Sequence, residues 1–145
     1  MRRFLTLAAT TVVLAACSKP AELSADKAWV RLPAVATNPA AAYFTLRGGG
    51  ADESLVAVSA PFAVRSELHE SMMGDHGAMQ MKPIDNVAIP AGSMVEFKPG
   101  GMHVMLFDVA PTVHAGDTVP LTLSFAGGKT LEVKARVMGA GETPQ

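Results

Sequence analysis

From about residue 29 to residue 138 the chain never runs more than about a dozen residues without a glycine, proline, asparagine or aspartate to break it. That spacing leaves no room for an amphipathic helix of ordinary length, and no apolar pattern at 3.6-residue period competes with it. The runs between the breaks are short, apolar and rich in β-branched or aromatic residues. They fall at 29–32, 41–47, 55–59, 64–69, 77–84, 93–98, 103–107, 119–125 and 131–138. Turn signals every ~8–12 residues between short strands predict an all-β fold, an antiparallel β-sandwich with a single domain. No internal repeat, low-complexity tract or second domain interrupts it.

Residues 98–108, Lys-Pro-Gly-Gly-Met-His-Val-Met-Leu-Phe-Asp, read as a Pro-Gly-Gly turn feeding straight into a strand. Pro99 presets its φ, and Gly100 and Gly101 are free to take positive φ. Alternate side chains of a strand share a face, so His103 and Met105 are neighbours, with Val104 and Leu106 behind them. An imidazole nitrogen beside a thioether sulfur is a half-site for a soft metal, Cu(I) before others.

The distribution of such ligands supports this. Seven of the nine methionines and three of the four histidines lie between residues 69 and 105, whereas methionine used as core filler has no reason to be so confined. In the run 64–69, Val64, Ser66 and Leu68 face one way and Arg65, Glu67 and His69 the other, so His69 leaves its strand on the polar side. Residues 74–77, Gly-Asp-His-Gly, form a hairpin tip, and Met79 and Met81 share a face of the returning strand. Folded back beside 103–107, this segment brings His69 and Met81 toward His103 and Met105, a candidate four-ligand site. Met72, Met73, Met79 and Met102 would form an apolar rim around it. His76, at the tip, is a candidate transient Cu(II) ligand, and His114 reads as a solvated loop residue.

The first residues carry a different signal. Arg2 and Arg3 precede an apolar run, 4–16, too short to span a bilayer. It ends in Leu14-Ala15-Ala16-Cys17, which resembles a bacterial lipobox and implies cleavage before Cys17 and acylation of that residue. Residues 1–16 are therefore expected to be a signal peptide, 17–27 a lipidated N-terminus and tether, 28–138 the folded domain and 139–145 a flexible tail. Ser18 after the cysteine points to the outer membrane of a Gram-negative bacterium, with the domain in the periplasm. Without Arg2 and Arg3, ten basic side chains face thirteen acidic ones. No basic stripe marks a nucleic-acid surface. Cys17 is the sole cysteine; once acylated it leaves no thiol for a disulfide, a nucleophile or a thiolate metal site. Neither a Ser/His/Asp set nor paired carboxylates suggest an enzyme.

These residues together resemble the PCu(A)C family of periplasmic copper chaperones. The family signature is a His, ten residues, a Met, twenty-one residues, then His-x-Met. Here Met81 precedes His103-Val104-Met105 by twenty-one residues, and His69 precedes Met81 by eleven. The extra residue is expected at the hairpin, around Asp75 and His76, leaving Met81 in the ligand role and Met79 as its rival. Supporting matches are Trp29-Val30-Arg31, Ala42-Tyr43-Phe44-Thr45-Leu46 and the stretch from Ala115 to Phe125. The resemblance covers about residues 28–138. It implies a cupredoxin-like sandwich in which His69, Met81, His103 and Met105 bind one Cu(I) per domain. It further implies delivery to the CuA centre on cytochrome c oxidase subunit II, or to another copper-assembly protein. The residues 142–145, Glu-Thr-Pro-Gln, lack the His/Met-rich tail some relatives carry for Cu(II).

Two rivals stay open from sequence, a copper-buffering lipoprotein without a dedicated acceptor and a metal-free interaction sandwich. A blue-copper electron carrier is disfavoured because its site needs a cysteine thiolate.

Overall fold

The computed structural model describes residues 21–145. The leader, the lipobox and Cys17 lie outside the described residues. Ten strands make up the domain: β1 (Ser24–Arg31), β2 (Ala40–Arg47), β3 (Glu53–Ser59), β4 (Ala63–Met73), β5 (Met79–Pro83), β6 (Val87–Ile89), β7 (Met94–Phe97), β8 (Met102–Val109), β9 (Thr118–Phe125) and β10 (Thr130–Met138). One short 3₁₀ turn, Asp75–Gly77, sits between β4 and β5. The strands form a single hydrogen-bonded sheet in the order β5-β4-β8-β7-β2-β1-β10-β9-β3-β6, with a further β8–β2 pairing. The ladders are antiparallel except β1–β10 and the single β7–β8 pair, which are parallel.

The two halves of this sheet close on one core. β9 shows how sequence dictates it: Val119, Leu121, Leu123 and Phe125 are buried and the residues between them are not, the period-two pattern of a half-buried strand. Their counterparts across the core are Val30, Ala42, Phe44, Leu46, Val104 and Leu106, which belong to the same buried cluster. Phe44 and Phe97 stack at 4.4 Å between ring centres. The all-β sandwich expected from the turn spacing is the fold observed.

Several boundaries differ from expectation. Residues 24–27, assigned to the tether, open β1, because Ser24, Ala25 and Asp26 pair with Arg47, Leu46 and Thr45 of β2. The polar composition that reads as tether belongs to a strand whose ladder is broken by a bulge between Asp26 and Trp29, where Lys27 takes φ 52°. The three-residue β6 gave no signal in the sequence; among the described residues it is an edge strand held by β3 alone.

The Pro-Gly-Gly turn positions everything that follows. β2 pairs with β7 along Phe44–Arg47 and with β8 along Ala40–Ala42, so the chain must step sideways between β7 and β8. Gly100 makes that step at φ 79°, a conformation that costs a side-chain-bearing residue. Gly101 has no positive φ; its N–H donates to the Lys98 carbonyl at 3.0 Å. Its own carbonyl is turned toward β4.

Candidate metal centre

The β4–β8 ladder fixes the histidines. Its register pairs His69 directly with His103, and Glu67 with Met105. Because side chains alternate, His69, Glu67, His103 and Met105 stand on one face of the sheet, opposite the buried Leu68, Val104 and Leu106. The β4–β5 hairpin adds Met81, which faces Ser71 across the ladder. Ser71 lies two residues beyond His69, on the same face. The hairpin ladder runs from His69↔Pro83 to Met73↔Met79 without a register shift, so any extra residue sits in the loop 74–78. There His76 takes φ 69°.

One carbonyl ties these elements together. Gly101 O accepts from the Ser71 N–H at 3.1 Å and from His103 Nδ1–H at 3.0 Å. On the other histidine, Nε2–H donates to Glu67 Oε2 at 3.0 Å. Each contact engages one ring nitrogen and so fixes which remains as a lone pair. The remaining nitrogens, His69 Nδ1 and His103 Nε2, are buried and have no hydrogen-bond partner among the described residues. Buried polar atoms in native proteins are nearly always satisfied, so two free lone pairs on facing rings 5.9 Å apart make this a candidate metal centre.

Electrostatics keeps both rings neutral. Burial lowers the His69 pKa, with a smaller contribution from the Arg65 guanidinium. Burial also lowers that of His103, partly offset by its bond to Gly101 and reinforced by His69 and Arg31. Neutral imidazole is the form that ligates a metal.

A cleft of ≈ 240 Å³ opens on this face, lined among others by Met81, Met105, His103, Tyr43, Ser71 and Arg31. Met105 is half-buried and Met81 is 61% exposed. His69 is not among the lining residues and adjoins the cleft through its ring contact with His103. Met79 is two ladder pairs nearer the tip and does not line the cleft. Of the expected rim, Met72, Met73 and Met79 are exposed, whereas Met102 packs against the core. His76 is exposed at the tip, and the exposed His114 takes a 2.8 Å bond from its own N–H to Asp117. Sequence reasoning missed Glu67, Arg31, Tyr43 and the Gly101 carbonyl as parts of the site. Face parity holds the signal for the first three: Glu67 is two residues from His69, and Arg31 and Tyr43 lie on the outer side of their strands.

Two imidazole nitrogens and two thioether sulfurs are soft-to-borderline neutral donors, a set that suits a d¹⁰ monovalent cation with no geometric preference of its own.

Comparison with known proteins agrees with this architecture. The solution structure of CuI-DR1885 from Deinococcus radiodurans is 28% identical to this chain with a TM-score of 0.57, covering 86% of this chain and 83% of that one. The copper-bound PCuAC domain from PmoF2 shares the fold, at 20% identity and a TM-score of 0.65, over 84% of this chain and 99% of that domain. The fold is therefore that of the PCuAC domains, a cupredoxin-like β-sandwich. The sequence profile described as "Putative lipoprotein LpqE-like" matches residues 23–137, and the chain belongs to the LpqE-like family. Among its relatives is "Putative lipoprotein Lxx21020" of Leifsonia xyli subsp. xyli (strain CTCB07), 30% identical over 113 residues, 77% of this chain and 67% of that protein.

Proposed function

We propose that the domain is a copper chaperone that carries one Cu(I) between His69 Nδ1, His103 Nε2 and the thioethers of Met81 and Met105. The observation that carries this reading is the pair of buried, unpartnered ring nitrogens beside a methionine-lined cleft. The copper-bound relatives support copper as the cargo. Imidazole and thioether ligands are all neutral, so the metal is held without thiolate and is released downhill to a cysteine-containing acceptor. Release is ligand exchange: a copper–sulfur bond to an incoming thiolate forms as a bond to methionine breaks, with no change of oxidation state. Met81, on the exposed edge strand, is placed to yield first.

The acceptor in this reading is the CuA centre of cytochrome c oxidase subunit II or another copper-assembly protein. The chain is held to the periplasmic side of the outer membrane through acylated Cys17, a reading supported by the lipoprotein names of its relatives. Anaerobic Cu(I) titration with X-ray absorption on residues 18–145 tests the site. It should give one copper per domain with sulfur and nitrogen in equal number; a site with only oxygen and nitrogen neighbours would refute it.

A further inference from the structure

The cleft that holds the methionines also holds a cation. Arg31, the last residue of β1, lines it together with Met81, His103 and Met105. Its Nη2 donates to the Tyr43 hydroxyl at 2.8 Å, and its guanidinium carbon lies 5.7 Å from the Trp29 ring centre and 5.4 Å from that of Tyr43. Trp29 and Tyr43 are themselves in contact, 4.4 Å between centres, and Tyr43 stands 6.5 Å from the His103 ring. Two aromatic rings and a hydroxyl thus hold this charge in one place.

Among the described residues no carboxylate pairs with Arg31. The contrast with the other arginine near the site is informative. Arg65 pairs with Glu67, the carboxylate that also accepts from His69, so that pair is balanced. Arg31 is the surplus charge on a face whose four candidate ligands are all neutral.

We infer that Arg31 sets the oxidation-state preference of the site, favouring Cu(I) over Cu(II). A fixed positive charge repels a bound dication twice as strongly as a monocation at the same place. In a partly buried cleft that difference is screened less than at an open surface. Thioether ligands lean the same way, and Arg31 adds to them a preference that does not depend on direct coordination. This inference rests on the copper reading above and specifies how the carrier avoids holding Cu(II) in an oxidising compartment.

The test compares Cu(I) and Cu(II) affinities, by competitive titration of the wild-type domain and of Arg31→Leu and Arg31→Lys, each shown to be folded by circular dichroism. Arg31→Leu keeps an apolar stem near Trp29, removes the charge and adds no donor atom to the cleft. It should narrow the Cu(I)-over-Cu(II) affinity ratio about tenfold, read independently as a reduction potential lower by about 59 mV, with one Cu(I) still bound. Arg31→Lys should keep most of the wild-type ratio. An unchanged ratio in Arg31→Leu overturns the inference and leaves the carrier function standing, and so does a lysine variant that falls as far as the leucine one. Should Arg31→Leu not fold, Arg31→Gln, whose amide can replace the bond to Tyr43, gives the same reading. Failure of the wild-type domain to bind Cu(I) would remove the carrier function itself.

Discussion

His103 and Met81 reach the same cleft from opposite kinds of ground. His103 is 2% exposed on a strand paired to β4 and, from the next residue on, to β2. Its ring is pinned by the Gly101 carbonyl. Met81 lies on β5, an edge strand on which every residue is exposed, and no hydrogen bond constrains its sulfur. The imidazole half of the candidate site is organised before any ligand arrives, and half-buried Met105 shares its strand, whereas Met81 is free to adjust. A carrier needs both properties, because rigid donors supply selection and mobile ones a route for exchange. The difference also assigns cost: disturbing the first half strikes the fold, and disturbing the second strikes binding alone.

The largest effect should come from the scaffold beneath the histidines. Leu106 is fully buried behind the His103–Met105 face. Leu106→Ala should destabilise the apo domain by about 2–5 kcal/mol, the usual range for a leucine truncated in a packed core, as measured by denaturant unfolding. Met81→Ala should change stability by no more than about 0.5 kcal/mol. Equal losses in the two variants would erase the distinction between the halves.

Next in size is binding. Met→Leu nearly conserves volume, so stability should move by less than about 1.5 kcal/mol. Met81→Leu and Met105→Leu should each weaken Cu(I) binding at least tenfold, about 1.4 kcal/mol, in competition titrations. Intact affinity in either variant removes that sulfur from the site.

Much of this division was readable before folding. The period-two alternation through 103–107 put His103 and Met105 on one face and Val104 and Leu106 on the other, and local sterics alone fix that parity. The sandwich followed from turn spacing for the same reason. What alternation cannot give is register between strands distant in sequence. Nothing in the chain states that His69 faces His103 and Glu67 faces Met105; that comes from how β4 settles against β8. Nor does a side-chain pattern reveal a backbone acceptor, so the Gly101 carbonyl was invisible although its glycine was noticed for turn-forming freedom. Arg31 and Tyr43 were noticed only as parts of matching segments, because their proximity to the cleft depends on β2 pairing with both β1 and β8.

A smaller effect is expected from pH, and it belongs to the rigid half. The pKa values of His69 and His103 are lowered in the folded apo domain, chiefly by burial, relative to the ordinary histidine value of about 6.5. As pH falls below that value, the unfolded chain takes up protons that the folded one still refuses, and folding loses stability. Their contribution is therefore complete above about pH 6.5 and lost as pH falls through the lowered folded values. Unfolding midpoints of the apo domain across that window should drop with acidity, and the double variant His69→Gln/His103→Gln should flatten the drop. A wild-type slope no steeper than the variant's would mean that the rings are not held neutral.

The smallest expected change, none in affinity, is for Met79→Leu, and it bears on the mobile half. Met79 and Met81 share a face of β5 and nearly equal exposure, so neither chemistry nor burial separates them. Position in the ladder does. Met81 faces Ser71, whose N–H binds the same Gly101 carbonyl that orients His103. Met79 faces Met73, two pairs nearer the tip. The β4–β5 ladder carries no register shift, so Met81 and Met79 keep their places opposite Ser71 and Met73. Met79→Leu should thus leave Cu(I) affinity where it was, as should Met94→Leu, whose sulfur accepts only from Arg47 Nη1 at 3.7 Å. If instead Met79→Leu abolishes binding while Met81→Leu is silent, the third ligand is two residues nearer the tip. The hairpin would then have to bend over the cleft when copper binds, and the adjustable half of the site would be the whole hairpin rather than one side chain.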